Sequence, residues 1–154
     1  MNRRFAWLLL LIVCGVGALM IAPDPWIAAQ DGDPLVMITN KQNAAAAGIT
    51  KTAAKKLLLG EFSRWPNGTP VVVVLGPAGS EDRSVLLEKV CGMSEAEFTR
   101  HNLQAQFMGQ VMATIHQERS AGAMKNFVKS NAGAVGFLHK SEVDDSVKIV
   151  WIVQ

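Results

Sequence analysis

Val71-Val-Val-Val-Leu75, followed at once by Gly76-Pro-Ala-Gly-Ser80 and a helical pattern from about Asp82 or Arg83 to Cys91, is the stretch on which the fold turns. Five apolar residues without alternation predict a strand covered on both faces, as in the centre of an α/β sheet. Gly76 to Ser80 is loop chemistry, and Gly92 stops the helix that follows. A strand, a Gly/Ser loop and a helix start in succession can hold an anion. The donors would be first-turn amides near Gly79, the hydroxyls of Ser80 and Ser84, and the Arg83 guanidinium. The plainer reading is that Ser80 caps the helix and Arg83 is solvated.

Outward from this stretch the pattern alternates. Leu35-Val-Met-Ile-Thr39 predicts a buried strand, and Asn40 to Gly48 a loop with an alanine patch able to form one helical turn. Thr50 is placed to cap a helix over Lys51 to Leu59, with Ala54, Leu57 and Leu58 inward and Gly60 as its stop. Trp65-Pro-Asn-Gly-Thr-Pro70 is a turn. Ser94-Glu-Ala-Glu97 is a capping box opening a third helix, with Phe98, Leu103 and Phe107 expected as its apolar contacts. Val111 to Ile115 fits strand or helix, and residues 109 to 120 stay unassigned. Ala121 to Asn131 predicts a helix with Met124, Phe127 and Val128 inward, followed by strands at Val135 to Leu138 and Val147 to Val153. The alternation argues for an α/β fold with a mostly parallel or mixed sheet flanked by helices.

The chain has 154 residues, and its mean hydropathy of +0.20 is inflated by one apolar block, Phe5 to Ala22, behind Arg3 and Arg4. That arrangement predicts an export signal over residues 1–29, cut after Ile27-Ala-Ala29, with a linker at 30–34 and one domain at 35–154. Eighteen apolar residues only just span a bilayer, so an uncleaved anchor is the alternative. Either way the domain is expected outside the cytoplasm, in the periplasm or its equivalent, touching membrane only through its N-terminal segment. Without residues 1–29 the chain carries 13 basic and 12 acidic side chains, a balance that argues against nucleic acid as a partner. Cys91 is then the lone thiol, read as a buried structural residue. His101, His116 and His139 fall in no metal-ligand spacing, and no nucleophile pattern is complete, so neither a catalytic residue, a metal nor a cofactor is expected.

Leu57-Leu-Leu-Gly-Glu-Phe-Ser-Arg-Trp65 with Asn67-Gly-Thr-Pro-Val71 resembles the Phe-Leu-Gly-Lys-x-x-x-Trp-x-x-Gly-x-x-Val signature of phosphate ABC transporter substrate-binding proteins. Leu35 to Asn40 is similar to the strand before that helix, and Asn131-Ala-Gly-Ala-Val-Gly-Phe137 resembles the family's Pro-Gly-Ala-Ile-Gly-Tyr motif. The resemblance implies a type II periplasmic-binding-protein-like fold, here a single lobe, since full-length members have two. The family's Arg-Ser-Asp-x-Ser-Gly-Thr phosphate loop falls on Leu75-Gly-Pro-Ala-Gly-Ser-Glu81, so Leu75 replaces the arginine and Ser80 is the hydroxyl left.

These readings predict an exported, non-catalytic solute-binding-like protein recognising an oxyanion, phosphate first, with Gly79, Ser80, Arg83 and Ser84 as ligands. An inner-membrane permease or another envelope protein is the implied partner. The alternative is an envelope protein-interaction module that kept the fold and lost the ligand, using exposed apolar residues such as Phe62, Trp65 and Trp151.

Overall fold

The computed structural model describes residues 32–110 and 112–154. The predicted signal, its cleavage site, Cys14 and the first part of the linker lie outside the described residues. Five strands are present: β1 (Leu35–Thr39), β2 (Val72–Leu75), β3 (Thr114–Gln117), β4 (Ala134–His139) and β5 (Lys148–Ile152). The α-helices are α1 (Lys51–Leu58), α2 (Glu81–Leu86), α3 (Glu95–Phe107) and α4 (Ala121–Ser130). A π-helical turn, Leu87–Cys91, continues α2.

The sheet order is β3-β2-β4-β1-β5. β2 pairs parallel with β3 and β4, whereas β1 runs antiparallel to both β4 and β5, so the sheet is mixed. β2 is an interior strand, as its unbroken apolar run requires. The pleat then sorts each strand between two cores. Met37, Val73, Leu75, Val135 and Phe137 face α1, the π-turn and Phe98 of α3. Val36, Ile38, Val74, Ala134 and Leu138 face Met124 and Val128 of α4.

Local chemistry sets the helix ends. The Thr50 hydroxyl accepts from the Ala53 amide at 3.3 Å, the Ser94–Glu97 capping box is fully formed, and Ser120 caps α4. Gly92 ends the π-turn in the left-handed region, at φ 70°. The alanine patch makes a 3-10 turn, Ala44–Ala46. One expectation fails. Leu103 and Phe107 are exposed, the latter at 89%, because α3 meets the core only through Phe98 and Ala105. Its apolar residues do not share one face, so the rest of the helix has nothing to bury against. Phe127 is only half-buried and stacks on His116, with ring centroids 4.2 Å apart.

The approach of β4 to β2 is unusually close at Gly133. A Cβ there would stand 1.9 Å from the Pro70 carbonyl oxygen. The Gly133 carbonyl accepts from the Val72 amide at 3.2 Å and from Trp65 Nε1 at 3.0 Å. Gly133→Ala is therefore expected to destabilise the domain by about 3 kcal/mol in urea unfolding. Gly122→Ala, in open space within α4, should stabilise it by about 0.5–1 kcal/mol. Equal effects of the two would show that the contact at Pro70 is easily relieved.

Candidate functional site

The topology places one crevice where chemistry is expected. From β2 the chain crosses to β3 on one side, and from β4 it proceeds to β5 on the other, so connections diverge at the carboxyl ends of the adjacent strands β2 and β4. A cleft of about 310 Å³ opens there, lined among others by Leu75, Gly76, Ser80, Arg83, Arg119 and His139.

The loop from β2 to α2 is tight. Gly79 adopts φ 80°, and the Ser80 amide donates to the Pro77 carbonyl at 3.1 Å. Ser80 occupies the N-cap of α2, yet its hydroxyl makes no cap bond. The Ser80 Oγ is buried without a partner and lies close to Gly76, where an added Cβ would be 3.2 Å away. The simple capping reading of Ser80 therefore does not describe this loop. A helix start leaves its first amides without intrahelical acceptors, so the cleft borders unspent donors.

Of the four residues singled out from sequence, Ser80 and Arg83 line the cleft, while Gly79 and Ser84 lie outside its lining. The Ser84 hydroxyl donates to the Ser80 carbonyl at 3.0 Å. Arg83 is not solvated: it is 5% exposed and its guanidinium is engaged. Nε and Nη2 donate to the two Glu95 carboxylate oxygens at 2.9 and 2.6 Å, and Nη1 donates to the Gly76 carbonyl at 3.0 Å. Its guanidinium carbon stands 5.7 Å from the centre of the Phe98 ring. This bidentate pairing ties the loop to the first turn of α3 and neutralises the charge locally.

His139, at the end of β4, is a rim residue that sequence reasoning did not assign. Nδ1 lies 2.8 Å from the Asp33 carbonyl and Nε2 3.1 Å from the Asp82 carboxylate. Both ring nitrogens meet acceptors, so the imidazolium is favoured; the Asp33 carbonyl and then Asp82 raise its pKa above the usual histidine value. The Ser141 hydroxyl, first among several donors, holds the Asp33 carboxyl below its ordinary range. Partners 106 and 57 residues away leave no local signature. On the same rim Glu118 pairs with His116 at 3.0 Å, and exposed Arg119 has no ion-pair partner among the described residues. Cys91 is buried, and burial pushes its thiol up to about 11, which makes it inert at neutral pH. Among the described residues no three His, Cys, Asp or Glu side chains could hold a metal ion, and no helix is long and apolar enough to cross a membrane.

Two predictions follow from this geometry. Arg83→Met keeps the apolar stem and is expected to cost about 1 kcal/mol by urea unfolding; Glu95→Ala strands a buried guanidinium and should cost about 3 kcal/mol. The reverse order would mean that packing on Phe98, not the ion pair, fixes Arg83. His139 has a folded pKa above its unfolded value of 6.5, so its contribution is complete below that pH and fades as pH rises through the folded value. The melting temperature should thus fall from pH 6 to 8, and His139→Asn should flatten that part of the profile. An unchanged slope would assign the dependence to other groups.

No protein-family model and no curated protein matches the sequence. Solved structures do. An ABC-type phosphate transport receptor from Vibrio cholerae superposes with a TM-score of 0.61 at 23% identity, over 77% of this chain and 45% of the receptor. A protein assigned as a phosphate ABC transporter substrate-binding protein from Clostridium perfringens, solved with phosphate bound, gives 0.61 at 28%, over 77% and 44%. PstS from Borrelia burgdorferi gives 0.60 at 15%, over 77% and 47%. The chain spans less than half the length of these proteins, and its described domain is a short, one-sheet relative in fold of the phosphate ABC transporter substrate-binding proteins.

Proposed function

We propose that this domain is an exported, non-catalytic solute-binding-like module that takes a small oxyanion, phosphate first, at the start of α2. The observation that carries the reading is the Ser80 hydroxyl, buried and unpartnered at an uncapped helix start on the cleft between β2 and β4. Ser80 and the first-turn amides donate to the anion. Gly79 gives the loop its turn, Ser84 holds the Ser80 carbonyl, and Arg83 fixes the loop from behind. The anion's charge is met on the rim by Arg119, while His139 offsets Asp82. The bound phosphate of the Clostridium perfringens protein supports the choice of anion. An N-terminal signal over residues 1–29 would deliver the domain to the periplasm or an equivalent compartment, where an inner-membrane permease or envelope partner receives it.

A second reading rests on a different surface. Phe107, 89% exposed, lies beside exposed Leu103 and Met108 at the end of α3, an apolar patch suited to a protein partner. Of the patch expected from sequence, Phe62 is exposed, but Trp65 is buried and Trp151 is half-buried in the sheet. In this reading the domain is an envelope interaction module that has lost its ligand.

Thermal unfolding in phosphate, sulfate and chloride at matched ionic strength separates the two. Phosphate at a hundredfold over its dissociation constant should stabilise the domain by about 2.7 kcal/mol, and Ser80→Ala should remove most of that rise. A rise equal in all three salts, or none, overturns anion recognition and leaves the α3 patch as the functional surface.

A further inference from the structure

A second cavity lies on the face of α1, away from the cleft. It is a groove of about 360 Å³ walled by the Ala45–Ile49 segment, by Ala53 and Leu57 of α1, and by Phe62, Arg64 and Trp65. Its origin is steric. Ala45, Ala47, Gly48 and Ala53 present almost no side chain, which leaves a slot bordered on one side by the edge of the largely buried Trp65, anchored through Nε1 to the Gly133 carbonyl at 3.0 Å. Phe62, 41% exposed, forms the outer lip.

The segment that forms this groove is rich in basic residues. Residues 40–66 hold Lys41, Lys51, Lys55, Lys56 and Arg64 against the single acid Glu61, whereas residues 67–154 carry eight basic and nine acidic side chains. One of these cations lines the groove and a second stands beside its Phe62 lip. Lys56 Nζ is 5.7 Å from the Phe62 ring centre, and Arg64 lines the wall, with Nη1 donating to the Gly68 carbonyl at 2.8 Å and its other donors unengaged. Neither meets a carboxylate within 4.0 Å among the described residues. An apolar slot with unpaired cations on its lip is complementary to a molecule with an aliphatic body and an anionic head. At about 360 Å³ the groove lies at the small end of ligand-pocket volumes, in keeping with a small aliphatic molecule.

We propose that the groove between Ala45–Ile49, α1 and the Phe62–Trp65 wall binds a medium-chain aliphatic carboxylate, the chain lying against Ala53 and Trp65 and the carboxylate between Lys56 and Arg64. The site is independent of the cleft at Ser80 and holds whatever that cleft binds.

Equilibrium dialysis of the full chain with decanoate below its micelle concentration tests this, with decanol as the uncharged probe. Decanoate is expected to bind saturably at one site. Ala53→Leu, which fills the slot with a good helix former, should weaken it more than tenfold. Lys56→Gln with Arg64→Gln should weaken decanoate about tenfold while changing decanol less than threefold, and both surface variants should keep the wild-type melting temperature. Unsaturable binding, or binding by Ala53→Leu equal to wild type, overturns the proposal. So does a result in which the wild type binds anionic phospholipid vesicles or self-associates, the Ala53→Leu change abolishes that, and decanoate competes with neither.

Discussion

The contact on which the rest of this fold depends is the approach of Gly133 to the backbone of Pro70. No side chain fits between them, since a Cβ would sit 1.9 Å from the Pro70 oxygen. Because the two backbones meet there, β4 starts beside β2 in parallel, Val72 facing Ala134 and Val73 facing Val135. The same carbonyl receives Trp65 Nε1, so the turn that leads into β2 is locked to the strand beside it. The two cavities lie on either side of this frame. The cleft opens where β2 and β4 end and diverge, and the α1 groove takes Trp65 as its rigid wall.

How much of this was legible depends on whether the deciding interaction is local. The apolar run Val71 to Leu75, the Thr50 cap, the Ser94–Glu97 box and the Gly92 stop each act within a few residues, and each appears as read. The segments Leu57 to Val71 and Asn131 to Phe137, singled out together by the resemblance, meet in space at Trp65 and Gly133. What failed was decided at a distance. Leu103 and Phe107 look like core residues by type, but among the described residues no element passes over the far part of α3 to cover them. That β1 runs against every other strand follows from pairing with β4 and β5, which a single strand's composition does not encode. The His139 bridge to Asp33 and Asp82 joins residues from three separate parts of the chain.

The site illustrates the same division. Ser80 stands out in the sequence because a strand, a Gly/Ser loop and a helix start follow one another, and that local pattern alone equally describes a cap. The turn at Gly79 and the small residue at Gly76 instead let the hydroxyl tuck into the loop, leaving it without a partner. Arg83 was identified for its charge, and its charge is spent on Glu95. An arginine that is 5% exposed and held by three hydrogen bonds positions a loop well, because it has little freedom left to lose.

This arrangement changes what an anion would experience. With Leu75 where the resemblance has an arginine, and Arg83 compensated, the proposed site relies on neutral donors from Ser80 and the α2 backbone, and Arg119 lines the cleft without an ion-pair partner among the described residues. Neutral donors discriminate by geometry but offer less Coulombic attraction, so nearby carboxylates weigh more. Asp82 sits in the first turn of α2, and its charge is offset only while His139 is an imidazolium. Glu118 and Glu142 border the same space. A proton on His139 therefore does two things at once: it strengthens the bridge to Asp33 and Asp82, and it lowers the repulsion an incoming anion would meet. In the proposed reading, an anion at Ser80 and a proton on His139 would favour one another by linkage.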